Sequence, residues 1–267
     1  MNASPLGIFD SGIGGLTVAS AINDLLPNES LVYFGDTAHL PYGDKSPASI
    51  QKWSVAISDF LMQFNCKMLV IACNSISSVA YETVKKHIGK KAIVVNVIDP
   101  VVHFVAGQSA FRQVGVIGTK ATIRSDVYAH KIVKENKKAT VYSQATPLLA
   151  PMIEEGFFNN KISRTIINDY LSRPKLKHID SLILGCTHYP LIKPEIEQYY
   201  KKRVAIIDSA QIVAEFVSLQ LQKNNLLNKS KKHHHRFFVS DYTPSFEQST
   251  KIFFRGNVKL KKENLWK

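Results

Sequence analysis

The chain has 267 residues, 45% hydrophobic and 21% charged, which is enough to bury a substantial core and excludes a largely disordered polypeptide. Its longest apolar runs, such as Met68 to Cys73, fall far short of the roughly 20 residues of a bilayer-spanning helix, and MNASPLGIFD lacks a charged n-region before an apolar stretch; a cytoplasmic protein with no membrane contact is expected. The formal charge of +13 is attractive to polyanions, but the lysines are scattered and gather only near the C-terminus, so a solvated basic surface explains them and nucleic acid is at most a secondary partner.

From the N-terminus, short runs rich in Val and Ile alternate with helix-length amphipathic segments. The runs are Leu6 to Phe9, Leu31 to Phe34, Met68 to Ala72, Ile93 to Val97, Val114 to Ile117, Thr140 to Ser143, Leu182 to Leu184 and Val204 to Ile207, with a further strand-like run from Arg236 to Ser240. This alternation predicts an α/β fold with mainly parallel sheets flanked by helices. Two echoes suggest more. Ala72-Cys73-Asn74-Ser75 is answered by Gly185-Cys186-Thr187-His188, and the turn after Gly7 to Phe9 by the turn Gly118-Thr119. Two similar lobes would produce such echoes: 1–98 plus 209–267, and 99–208, with the active site in the cleft between them. The competing explanation is generic likeness among short βα turns.

The first chemical signal is Gly7-Ile8-Phe9-Asp10-Ser11-Gly12-Ile13-Gly14-Gly15, a strand opening into a glycine-rich turn before the helix Leu16 to Leu26. Such a turn can present N–H groups to a phosphate or carboxylate, although its spacing is not that of a dinucleotide site. Asp10 would repel an anion there, which makes it a better candidate for a base, an ammonium partner or a thiol partner. Next, Gly35-Asp36-Thr37 leads to Pro41-Tyr42-Gly43, a loop whose Pro and Gly suit turning and whose Tyr42 suits either a pocket wall or a half-buried structural role.

Of the three cysteines, at 66, 73 and 186, none belongs to the dense even-numbered set of a small secreted domain, so free thiols are expected. Cys66 reads as an inert buried thiol. Cys73 and Cys186 fall at the carboxyl ends of parallel strands, where such sheets bind ligands. Their neighbours Asn74, Ser75 and Thr187 offer hydrogen bonds, and His188 can exchange a proton with a thiol. His233 to His235 read as a native loop, since Arg236 to Ser240 continues as a strand; three adjacent histidines rarely converge on one ion.

Taken in order, the Gly7 to Val18 segment, Gly35-Asp36-Thr37 to Pro41-Tyr42-Gly43, Ala72-Cys73-Asn74-Ser75 and Leu184-Gly185-Cys186-Thr187-His188-Tyr189-Pro190 resemble the glutamate racemases, with weaker matches at Pro147 to Gly156 and Phe238 to Asp241. Ser75 stands where the family usually has Thr, keeping the hydroxyl. The resemblance implies cofactor-independent interconversion of L- and D-glutamate by Cys73 and Cys186, with Asp10 assisting Cys73, and Glu154 and His188 assisting Cys186. It implies substrate contacts from Asp10, Ser11, Asn74, Ser75, Thr119, Thr187 and His188, with Pro41, Tyr42 and Gly43 lining the pocket. It also implies no metal, a homodimer, and D-glutamate supply for peptidoglycan in a bacterial cytoplasm. Aspartate is the nearest alternative substrate, but aspartate racemases usually carry Glu at position 188. A basic protein binding a DNA-processing enzyme is a second alternative, and phosphate binding at the glycine-rich turn a third; neither explains both cysteine turns. The basic tail after Gly256 lies outside the resemblance and receives no function.

Overall fold

The described residues of this computed structural model, 2–230, 233–256 and 258–266, contain ten strands: β1 (Leu6–Asp10), β2 (Leu31–Gly35), β3 (Met68–Ile71), β4 (Ile93–Asn96), β5 (Gln113–Gly118), β6 (Thr140–Ala145), β7 (Ser181–Gly185), β8 (Ala205–Ile207), β9 (Arg236–Val239) and β10 (Leu260–Lys262). They form two sheets in the orders β10-β9-β2-β1-β3-β4 and β6-β5-β7-β8. Every pairing is parallel. The α/β architecture expected from the hydrophobic runs is the one observed, with strand ends displaced by a residue or two.

Between the strands lie α1 (Leu16–Leu25), α2 (Pro47–Met62), α3 (Asn74–Ile88), α4 (Ile98–Gly107), α5 (Lys120–Arg124), α6 (Val127–Glu135), α7 (Leu149–Glu154), α8 (Lys161–Leu171), α9 (Lys193–Tyr199), α10 (Ser209–Lys223) and α11 (Pro244–Phe253). Their ends follow local chemistry. Ser46 caps α2 by accepting from Ser49 N–H, with Pro47 in its first turn. Asn160 and Ser163 form a reciprocal capping box on α8. At the end of α3, Gly89 takes φ +59°, a conformation that side chains with a Cβ rarely adopt.

Because helices cover both faces, β1, β2, β3 and β7 are buried along their whole length, and parallel strands so placed read as nearly continuous hydrophobic runs. One apolar cluster joins Leu6 and Ile8 of β1 to Leu182 and Leu184 of β7 through Val213 and Val217 of α10. The chain leaves the first sheet through α4 and returns through α10, which packs on α1 and α4. At the sheet end opposite the cysteine turns, buried Lys67 pairs with buried Glu29 at 2.6 Å and donates to the carbonyls of Asn2 and Leu226. That clasp holds the returning chain against the first sheet.

The tail after Gly256, outside the resemblance, is packed into the fold. Val258 and Leu260 are buried, β10 pairs with β9, and Trp266 packs against the Phe34 and Phe238 cluster. A three-residue strand, Leu260-Lys261-Lys262, two of whose residues are lysines, offers no hydrophobic run to detect. Within the polar stretch Asn224 to Arg236, Lys231 and Lys232 lie outside the described residues. His235 is tied into the fold, its Nδ1 accepting from Leu31 N–H at 3.3 Å. No helix among the described residues is long and apolar enough to cross a membrane.

Candidate active site

Parallel strands deliver their following residues to one end of a sheet, and the turns after β1, β3, β5 and β7 meet in a single cavity of about 60 Å³. Ser11, Cys73, Asn74, Ser75, Thr119, Cys186, Thr187 and His188 line it, together with Pro41, Tyr42 and Gly43 from the loop after β2 and Glu154 at the end of α7. Leu40, Ala150 and Pro151 complete the wall. These three were not singled out from the sequence, although Leu40 lies inside the Gly35 to Gly43 segment, and Ala150 and Pro151 inside Pro147 to Gly156.

Asp10 is the exception among the residues expected to touch substrate. It is fully buried beneath the glycine-rich turn and does not line the cavity. Its Oδ2 accepts from Gly12 N–H at 3.0 Å and Gly15 N–H at 3.1 Å. The chain's own carboxylate thus occupies the donors that could have held a phosphate, which overturns the anion-site reading of this turn. Burial raises the Asp10 carboxyl above its ordinary range, against the lowering influence of His188 and of its bonds from Gly15, Gly12 and Cys73. Its Oδ1 and the neighbouring Asn74 Nδ2 are buried without a protein partner; an orphaned acceptor and an orphaned donor flank the first cysteine turn.

Cys73 immediately precedes the 15-residue helix α3 and is 5% exposed. Burial, and next the Asp10 carboxylate, push its thiol up to about 12, although Ser11 and the Ile76 N–H favour the thiolate. The other half of the cavity is built differently. Cys186 Sγ lies 3.6 Å from His188 Nδ1, and His188 Nε2 lies 2.8 Å from Glu154 Oε1. Burial by itself would lower the imidazole, but the hydrogen bonds to Cys186 and Glu154 outweigh it and hold His188 well above its ordinary value. That shift favours the imidazolium form, which has an N–H for the sulfur on one side and another for the carboxylate on the other. Cys66, by contrast, is buried in the core, donates to Leu61 C=O and is pushed up to about 12 by burial, as an inert thiol should be.

Several contacts tie the cysteine turns to neighbouring elements. Ser75 and Thr119 hydroxyls meet at 2.8 Å, joining the turn after β3 to the turn after β5. Thr17 donates to Thr187 C=O at 3.0 Å, a link between residues 170 apart that no local pattern announces. A Cβ at Gly14 would fall 2.3 Å from His188 Cε1, so this glycine makes room for the imidazole. Tyr128, also missed, donates to Asn74 Oδ1 at 2.7 Å and fixes which way the amide faces. At the surface, Lys120 pairs with Asp44 at 3.1 Å. A much larger open groove of about 1230 Å³ runs beside β4, but it contains Cys66 and neither of the other cysteines; size alone does not identify the chemistry.

Residues 15–217 match the family described as Asp/Glu/Hydantoin racemase, a span that takes in both cysteine turns. A glutamate racemase of Chlorobaculum parvum is 40% identical over 253 residues, covering 94% of this chain and 93% of the relative. Among solved structures, the glutamate racemase of Francisella tularensis in complex with D-glutamate superposes with a TM-score of 0.93 at 40% identity, covering 100% of this chain and 99% of the other. A glutamate racemase isoform of Bacillus anthracis gives 0.91 at 32% identity, covering 99% of each. The chain belongs to the Asp/Glu/hydantoin racemase family, within its glutamate racemase branch.

Proposed function

We propose that the chain interconverts L- and D-glutamate by proton transfer between Cys73 and Cys186, without an electron-sink cofactor. The observation that carries this reading is the arrival of two thiols in one enclosed cavity from two different sheets, each beside a group of its own: Asp10 for Cys73, His188 with Glu154 for Cys186. A racemase needs a base on one face of Cα and an acid on the other. In the resting cavity Cys73 keeps its proton, while the His188 imidazolium offers Cys186 the positive charge and the donor that a thiolate needs.

One turnover then proceeds as follows. The Cys186 thiolate takes the α-proton, and the Cys73 thiol delivers its own proton to the opposite face. The enzyme is left with a Cys186 thiol and a Cys73 thiolate, the form suited to the other enantiomer. The N-terminal amides of α3, beginning at Asn74, and the hydroxyls of Ser11, Ser75, Thr119 and Thr187 would hold the α-carboxylate as charge grows on the carbanion. Asp10 acts on Cys73 from beneath rather than on substrate. Pro41, Tyr42 and Gly43 form the wall toward the substrate side chain.

The same reading includes two lobes, 1–98 plus 209–267 and 99–208, a homodimer, and supply of D-glutamate for peptidoglycan in a bacterial cytoplasm. The deciding experiment incubates L- and D-glutamate separately with metal-free, cofactor-free protein in D₂O. Loss of optical rotation and deuterium at Cα from both enantiomers are expected; inertness toward both overturns the proposal. Aspartate in a parallel reaction should turn over far more slowly, and comparable turnover would move the substrate assignment.

A further inference from the structure

Asp36 follows β2 without lining the cavity, yet it holds the loop that does. Its carboxylate is fully buried and takes donors from four side chains: Tyr42 Oη at 2.6 Å and His39 Nδ1 at 2.8 Å on Oδ2, Ser240 Oγ at 2.6 Å and Trp266 Nε1 at 3.0 Å on Oδ1. Its own backbone N–H donates to Asp10 C=O at 3.0 Å. A buried carboxylate keeps its geometry only while its lone pairs are matched by donors, and each charge-assisted bond is stronger than a neutral one.

Two of those donors come from the far end of the sequence. Ser240 follows β9, and Trp266 closes the tail that follows β10. The Trp266 ring also meets His39 edge to face at 4.8 Å, and His39 stacks on Trp53 at 4.0 Å. Tyr42, buried beside Trp53, is tied by its phenol to Asp36 and lines the cavity between Pro41 and Gly43. The burial of Tyr42, and next the Asp36 carboxylate, hold its phenol above its ordinary value, so it remains a donor to Asp36.

We propose that Trp266 is a positioning residue: its indole N–H, acting through Asp36, fixes Tyr42 and with it the Leu40 to Gly43 wall of the cavity. The inference rests on the reading of that cavity as the glutamate site. Removing the N–H leaves one carboxylate oxygen underfilled, and the carboxylate re-aims toward its remaining donors. The wall beside the substrate loosens, while the two thiols, on other turns, stay where they are. The effect belongs in substrate affinity and not in the proton transfers.

The test uses the full chain with Trp266→Phe, which keeps a ring and deletes the donor. In racemisation of either enantiomer, KM should rise about three- to tenfold with kcat within about twofold of wild type. A double-mutant cycle with Tyr42→Phe identifies the route. Once Tyr42 has lost its tether, Trp266→Phe should add little, whereas an equal KM increase in both backgrounds overturns the route through Asp36. Amide hydrogen exchange, which needs no turnover, supplies an independent readout. Exchange over residues 37–45 should quicken in Trp266→Phe while β1 and β3 stay protected; unchanged exchange over 37–45 overturns the inference. A wild-type protein inert toward glutamate would sink the functional reading alone, with the exchange result still deciding the positioning role. An unchanged KM in an active Trp266→Phe enzyme would do the reverse.

Discussion

Cys73 and Cys186 each follow a fully buried central strand, β3 in one sheet and β7 in the other, yet the groups beside them are of opposite type, a carboxyl for the first and an imidazole for the second. The first thiol sits at the N-terminus of a long helix with a buried carboxylate beneath it, and burial with that carboxylate keeps its proton on. The second is followed by a short 3-10 turn, and its neighbour is an imidazole braced by Glu154. On the proposed mechanism, a reaction whose two directions are mirror images would be run by two halves that are not. Under the same proposal the asymmetry would set a starting state, a protonated Cys73 and a Cys186 beside a basic partner, which two equivalent cysteines could not define.

The largest expected effect comes from deleting either half. Cys73→Ala and Cys186→Ala should each lower kcat by at least about 10⁴-fold, with circular dichroism and melting temperature retained. Near-wild-type turnover by either variant would mean that one thiol suffices, and the comparison would collapse.

Next in size is the chemical reactivity of Cys73. With its thiol pushed up to about 12, alkylation by a haloacetamide at pH 8 should run on the order of 10³-fold slower than at an ordinary exposed cysteine. The rate should climb about tenfold per pH unit toward that value, read by peptide mass spectrometry. Rapid labelling of Cys73 at neutral pH would contradict a protonated resting thiol. The same shift has a stability consequence. A thiol that ionises near 9.0 when unfolded and near 12 when folded contributes its full stabilisation below pH 9.0 and loses it as pH rises toward 12. Cys66 behaves alike, and His188, also raised, has the same sign. Alkaline unfolding should therefore become shallower in Cys66→Ala and in Cys73→Ala.

The charged partners come third. Asp10→Asn and His188→Gln should each reduce kcat/KM by about 10²-fold. Since L and D enantiomers have equal free energy, kcat/KM must fall equally in both directions. kcat alone can split, and the two variants should depress it more strongly in opposite directions. Identical kcat patterns from both would show that the charge difference between the turns has no kinetic meaning. The smallest effect is expected at the bond between the turns after β3 and β5: Ser75→Ala removes the Thr119 partner at 2.8 Å and should lower stability by about 1 kcal/mol in denaturant titration. A loss several times larger would make that bond a main tie between the sheets.

Much of this was legible in the chain itself. Strands buried on both faces announce themselves as apolar runs, and a cysteine between a small residue and a polar one, at the carboxyl end of such a run, is placed by parallel-sheet topology without further information. What escaped depended on side chains folding back or on distant approach. Nothing local tells that Asp10 turns away from the cavity to satisfy Gly12 and Gly15, that Gly14 is empty space for His188, or that Thr17 reaches Thr187. β10 was hidden because its single buried leucine is followed by two exposed lysines. Each is a tertiary fact whose local sequence is compatible with several outcomes.

The order of the first sheet, with β2 lying between β1 and β9, also has a meaning for synthesis. All strands of the second sheet, residues 113–207, leave the ribosome before residue 236, so that sheet and its cysteine turn can be complete while β2 still shows an unpaired edge. A bare parallel edge is a template for wrong partners. A chain terminated between α10 and β9 would keep both thiols, lack Ser240 and Trp266 on Asp36, and expose that edge permanently, so loss of the segment from β9 onward should cost solubility and, on the proposal above, the shape of the cavity wall.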